Sequence, residues 1–181
     1  MHCLHNVAVE AESKEEAFKK VQRFLLEGNN APWSDWHVVG GGRWSNSHYE
    51  DSSENVLGYK DADFKKSFQD SLTNRLNELE RIMKDIQPQK ILINGKSYLS
   101  KMKKIAQSQA PWVPMDPSAS PFVFDRLMWR LEQMSKILNN EWTSDSYFYD
   151  IETWTADASS FLDRVSKNPD KQWLVPVDFH C

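Results

Sequence analysis

Glycine is scarce in this chain, six in 181 residues, yet three of the six stand together as Gly40, Gly41 and Gly42. Cysteine is scarcer still: only Cys3 and Cys181, far apart in sequence, which excludes a disulfide-built scaffold. No run approaches the roughly 20 apolar residues of a membrane-spanning helix. The first residues, "MHCLHNVAVEAES", lack the basic start and long apolar core of a signal peptide, so a cytoplasmic protein with reduced thiols is expected. Cations are in the minority, 22 Lys and Arg against 26 Asp and Glu, for a net charge of −4. That balance argues against a general nucleic-acid coat, which works by releasing counterions with many basic groups. There is no phosphate-binding GxxxxGK[ST] loop, no GxSxG elbow, no HExxH or CxxC pair, no kinase set and no paired-carboxylate signature, so neither a cofactor nor a resident metal is expected.

What the chain has in quantity is tryptophan, eight residues, a side chain that fills cores and anchors binding surfaces. Its local patterns place the elements. Residues 4–11 alternate around Val7 and Val9 and predict a strand. Ser13 and Glu16 have capping-box spacing and predict a helix from Lys14, with Ala17, Phe18, Val21, Phe24 and Leu25 on its apolar face and Gly28 at its end. "DWHVV" is a second strand. Near the other end, "YFYDIETWT" (147–155) predicts a strand, "ADASSFLDRVSKN" a helix capped by Asp157 and stopped before Pro169, and "WLVPVDFHC" a last strand. Pro176 within it, lacking an N–H, predicts a sheet edge.

The fold expected is therefore α+β: a ferredoxin-like pair of β-α-β units, residues 1–45 and 146–181, with its two helices on one face of the sheet. In that arrangement the last strand lies antiparallel to the first, bringing 178–181 beside 2–5. Residues 46–145 are expected as a large helical insertion with helices over 61–86, 95–107 and 120–140. The groove between insertion and sheet is where a pocket is expected. "YEDSSEN" (49–55) predicts a mobile acidic loop, with a ligand lid as the alternative.

Three constellations carry chemistry. In "WHVVGGGRWSN" three glycines leaving a strand expose consecutive N–H groups that can hold an anion. Arg43 adds a planar fork suited to phosphate or carboxylate, and Trp36 and Trp44 can stack on a ring. The structural alternative is a bulged strand end, with Arg43 ion-paired and both tryptophans in the core. The second constellation is His2, Cys3, His5, Asp178, His180 and Cys181, with Asp178 and His180 on one sheet face and His5 on the other. It supplies acid–base candidates, His180 and Asp178, beside a third, His37. A Cys3–Cys181 disulfide is sterically conceivable but at odds with a reducing compartment. The third constellation is basic: Lys90, Lys96, Lys101, Lys103 and Lys104, with Tyr98 among them. These lysines form either a phosphate grip or a solvated helix face.

Asp35, Trp36, Gly41, Gly42, Arg43 and Trp44, followed by Asp178 and His180, resemble the signature of a loose group of small, mostly uncharacterised bacterial and phage proteins. That group is marked by a DWxxGGRW motif and a C-terminal strand carrying D-x-H. The third glycine at 40–42 departs from the pattern. The resemblance implies a phage or bacterial origin rather than a chemistry. Three functions follow as expectations. One is a non-enzymatic binding protein for a small anionic, nucleotide-like ligand held by Trp36, Gly40, Gly41, Gly42, Arg43, Trp44, Asp178 and His180. The second is an interaction module inhibiting a host defence enzyme. The third is a nucleotide- or nucleic-acid-processing enzyme using His180 and Asp178.

Overall fold

The structure is a computed structural model that describes residues 2–28, 30–45, 50–86, 96, 99–100, 103 and 121–181. It is a mixed α/β chain forming two compact units, residues 1–78 with 136–181, and residues 79–135. The first unit holds a mixed five-stranded sheet. Its elements are β1 (His2–Glu10), α1 (Lys14–Gly28), β2 (Trp36–Val39), a 3-10 turn (Gly42–Trp44), β3 (Leu57–Gly58), the start of α2 (Phe64–Asp85), the end of α3 (Pro121–Leu138), β4 (Phe148–Asp150), α4 (Ser159–Lys167) and β5 (Gln172–His180). The second unit comprises the last turns of α2 and the first of α3, where the Arg130 guanidinium lies 4.7 Å over the Trp129 ring. Among the described residues no helix is long and apolar enough to cross a membrane.

The strand order is β2-β5-β1-β4, with β3 pairing on β5 beside β2. β1 and β5 pair antiparallel over their whole length, His2 opposite His180 and Leu4 opposite Asp178, as expected. The second half departs from the ferredoxin-like expectation. β4 is parallel to β1 whereas β5 is antiparallel to it, so β4 and β5 run in opposite directions and do not form a parallel β-α-β crossover. The two helices consequently cover opposite faces. α1 seals one face through Ala17, Val21 and Leu25 against Val7, Val9, Val175, Val177 and Phe179. α4 and α2 seal the other through Phe161, Phe64 and Phe68 against Ala8, Phe148 and Leu174. Residues 57–78, expected within the insertion, thus contribute a strand and part of a helix to the sheet's own core.

Local chemistry explains the element ends. Ser13 Oγ accepts the Glu16 N–H at 3.2 Å while Glu16 reaches back to the Glu12 N–H, satisfying two orphan donors at the start of α1. At the start of α4 the cap position is Ala158, and the expected cap, Asp157, stands one residue earlier, where it accepts the Ser159 N–H at 3.1 Å. The strand expected over 147–155 is shorter. It ends at Asp150, and the chain turns back to pair Asp150 with Thr155, with Trp154 at φ 56° in the turn. Pro176 is not at an edge, because β5 lies between β1 and β2. In a strand, N–H and C=O of one residue point to the same side. The Pro176 carbonyl accepts the Gly40 N–H at 2.7 Å, so the missing donor faces Gly40, just past the end of β2, and the Gly40 carbonyl takes the Asn55 side-chain amide at 3.0 Å instead. The expected helices at 61–86 and 120–140 are α2 and α3. Of that at 95–107, only Lys96, Leu99, Ser100 and Lys103 are described, all helical.

Candidate functional site

Strand pairing decides which side chains share a face. His2, Leu4, Trp36, Val38, Asp178 and His180 pair with one another across β1, β5 and β2, so all point to the α4 side of the sheet. The helical cover on that side is anchored further along the strands, at Ala8, Phe148 and Leu174. The sheet end bearing these residues therefore joins the glycine turn and the first and last strands into one cluster.

Asp178 is its centre. The residue is fully buried, and both carboxylate oxygens have donors. The His2 Nδ1–H donates to Oδ1 at 2.9 Å and the Arg43 backbone N–H donates to Oδ2 at 3.0 Å. The anion held by the glycine turn is thus the chain's own carboxylate. The turn is built for this approach. Gly40, Gly41 and Gly42 have φ of 104°, 98° and 47°, a left-handed region that side chains disfavour. A Cβ on Gly42 would lie 2.5 Å from Asp178, and one on Gly40 would lie 1.9 Å from the Ser52 carbonyl oxygen. The Gly40 N–H donates to Pro176, which leaves the row of free N–H groups expected from sequence partly engaged within the fold.

Above the carboxylate lies a partly exposed aromatic surface. Trp36 stacks on His180 with ring centroids 5.3 Å apart and an interplanar angle of 5°. His2 meets both edge-on, at 5.2 Å from Trp36 and 5.0 Å from His180, and Trp44 stands at 6.3 Å from His2. Trp36 is 38% and Trp44 49% exposed, and Arg43 is exposed beside them. The tryptophans are therefore not core residues, as the structural alternative required. The acid–base candidates Asp178 and His180 have separate partners: Asp178 holds His2, and the His180 Nδ1–H donates to Asp35 at 3.2 Å. Each imidazole thus has one nitrogen fixed by a carboxylate, which defines its ring orientation.

The other candidates lie elsewhere. His5 and His37 point to the α1 face, against Phe179. Burial lowers the His37 pKa, partly offset by Asp51. His5 is fully buried, with its pKa pressed down to about 4 by desolvation. Cys3 and Cys181 lie on that same face without a disulfide between them, their sulfur atoms 3.6 Å apart. No group of three or more metal-ligating side chains is present among the described residues. Of the basic cluster, Lys96 and Lys103 are exposed, while Lys90, Lys101 and Lys104 lie outside the described residues. The acidic stretch is tied down where it is described. Asp51 accepts the Val39 N–H at 2.8 Å and the Ser52 N–H donates to Val39, extending β2 by side-chain and backbone bonds.

Sequence reasoning described the glycine turn and the terminal residues as separate constellations and joined Asp178 and His180 to the turn only through the motif resemblance and the expected ligand set. The signal joining them was the strand phase: Trp36 and Val38 alternate in step with Asp178 and His180 once β2 pairs with β5. The pairing of His2 with Asp178 had no local signal, because the two are 176 residues apart. Comparison with protein-family models, with curated proteins and with solved structures found no match.

Proposed function

We propose that this chain binds a small anionic, ring-bearing ligand of the nucleotide kind on the surface formed by His2, Trp36, Arg43, Trp44 and His180. The observation that carries the reading is the pairing of two half-exposed tryptophans with an exposed arginine, over histidines oriented by carboxylates. A base or similar ring stacks on the exposed tryptophan surface, and the Arg43 guanidinium takes the phosphate. The glycine turn contributes shape rather than an empty anion nest, since its Arg43 N–H already serves Asp178. Titration of nucleoside phosphates against tryptophan fluorescence, backed by calorimetry, tests this. Binding should quench emission, and Arg43→Ala should weaken it by about 1.5–3 kcal/mol, some 10- to 150-fold. Unchanged affinity in a folded Arg43→Ala variant would remove the assignment.

One observation favours a second reading, acid–base chemistry on a nucleotide or nucleic acid. His2 and His180 lie side by side, each held at Nδ1 by a carboxylate, which leaves each Nε2 to exchange a proton. Under this reading His2→Gln abolishes turnover of a phosphodiester probe. Under the binding reading no turnover is seen in either protein.

A further inference from the structure

Beneath the proposed site, on the opposite face of the same strand ends, lie two thiols that neither reading uses. Cys3 belongs to β1 and pairs with Phe179, and Cys181 lies two residues further along, just past the end of β5. Their sulfur atoms are 3.6 Å apart, at hydrogen-bonding contact, and the Cys3 thiol also approaches the Phe179 carbonyl. Bond formation needs an approach to roughly 2.0 Å. Cys181 directly follows the last residue of β5.

We propose that Cys3 and Cys181 are a modification site that closes, under oxidation, into a reversible intramolecular disulfide fastening β1 to β5. The oxidant is a low-molecular-weight disulfide. The chemistry proceeds by two thiol–disulfide exchanges. Cys181, the less buried thiol, attacks as thiolate. The oxidant's S–S bond breaks, one small thiol leaves, and a mixed disulfide forms on Cys181. Cys3 then loses its proton to solvent and attacks the Cys181 sulfur, expelling the second small thiol. Two protein thiols are oxidised to one disulfide and the oxidant is reduced to two thiols. Burial, reinforced by the neighbouring Cys181, raises the Cys3 pKa above the ordinary thiol range, which makes the second exchange the slow one.

The bond would act on the site through chain neighbours. His2 precedes Cys3 and His180 precedes Cys181, and the two imidazoles are 5.0 Å apart on the other face. Fastening Cys3 to Cys181 fixes the spacing of the backbone that carries them. This second consequence, a redox-dependent ligand affinity, rests on the binding reading above.

The full chain is incubated with oxidised glutathione, then denatured, alkylated and weighed. The expected product is monomeric, about 2 Da lighter than the reduced chain, and takes up no alkylating agent. Its melting temperature should rise by roughly 5–10 °C, because the bond closes a very long loop of the unfolded chain. Cys181→Ser, which removes only the outer thiol, should show neither change. Two alkylated cysteines after oxidation, a mixed disulfide that persists on Cys181, or a dimer linked through it would each overturn the proposal. The mass readout needs no ligand, so a disulfide that forms in a protein that binds no nucleotide refutes the binding reading and leaves the modification standing.

Discussion

Lowering the pH from 7 to 4.5 should remove about 2–3 kcal/mol of stability through a single residue, His5. The ring is sandwiched between Trp33 at 5.1 Å and Tyr147 at 5.8 Å, with Phe179 and Trp142 at its edges. Its two nitrogens have opposite roles. Nδ1 accepts the Trp142 Nε1–H at 3.0 Å, and Nε2–H donates to the Ser144 carbonyl at 3.1 Å. A protonated ring would turn Nδ1 into a donor facing another donor, and would place a charge in a fully buried aromatic cage. Desolvation accordingly lowers the pKa from 6.5 to about 4, with the Ser144 carbonyl offsetting part of the effect.

Because the folded pKa lies below the unfolded one, the unfolded chain binds the extra proton first as pH falls. The stability is whole above pH 6.5 and is lost progressively toward pH 4. At pH 4.5 the unfolded state has gained almost the full benefit of protonation and the folded state little, which yields the figure above. Chemical denaturation at both pH values, for the parent and for His5→Phe, isolates the effect. The variant leaves Trp142 Nε1–H and the Ser144 carbonyl without their partner, at about 1–3 kcal/mol each, but at every pH alike. The parent should therefore lose about 2–3 kcal/mol more than the variant over that interval, because the contribution of His37, which burial shifts in the same direction, is common to both proteins and cancels. A difference below about 0.5 kcal/mol would refute the reasoning, since it would mean that His5 titrates alike in folded and unfolded chains.

Alanine substitutions in the glycine turn should rank by steric space. Gly40→Ala and Gly42→Ala force a Cβ against Ser52 backbone and Asp178, whereas Gly41→Ala meets only ordinary contacts beyond 3.5 Å and suffers the φ strain alone. Gly41→Ala should cost about 1–2 kcal/mol and the other two more, measured by urea denaturation. A milder effect at Gly42 than at Gly41 would contradict the turn geometry. Arg164→Ala should cost about 3–5 kcal/mol, because it strands the fully buried Asp150 carboxylate that Arg164 Nη2 meets at 2.7 Å. The double variant with Asp150→Ala should recover part of that loss, and a strictly additive pair would argue against the coupling. Arg75→Met should destabilise the chain by about 2–4 kcal/mol, since its guanidinium satisfies the carbonyls of Ile137 and Ala156 and the Asn140 side chain together. A change under about 0.5 kcal/mol in thermal unfolding would show these bonds to be replaceable by water.

Much of the fold's local structure was legible in sequence because it is set by short-range chemistry. The Ser13–Glu16 box, the Asp157 start of α4 and the alternation in β1 each lie within a few residues. The antiparallel pairing of the first and last strands followed from topology alone. What failed was strand direction in the second half. A β-α-β pattern reads the same whether its strands end parallel or opposed, and β4 took its place beside β1 through only three paired residues. Pro176 misled for a related reason. A missing donor matters only on the side where a partner runs, and no sequence pattern reveals that β2 ends and β3 begins around that point.

The glycine run shows how a local signal can be right in kind and incomplete in meaning. Three positive-φ residues do form a backbone turn, and the Arg43 N–H that follows them meets a carboxylate, though the glycine N–H groups themselves do not. The anion is supplied by Asp178, more than a hundred residues away, and a neutral, undecorated turn could not have announced it. The consequence reaches the proposed site. Asp178 holds the turn through one oxygen and His2 through the other, so it positions both parts of the aromatic surface. Asp178→Asn would keep the size but replace one acceptor oxygen with an amide donor. The amide would oppose the Arg43 N–H, or it would face the His2 Nδ1, which accepts it only by carrying its own proton on Nε2, so the variant changes either the turn or the His2 tautomer. The residues read as two constellations are therefore one mechanical unit, and the ring surface above them stands or falls with the carboxylate below.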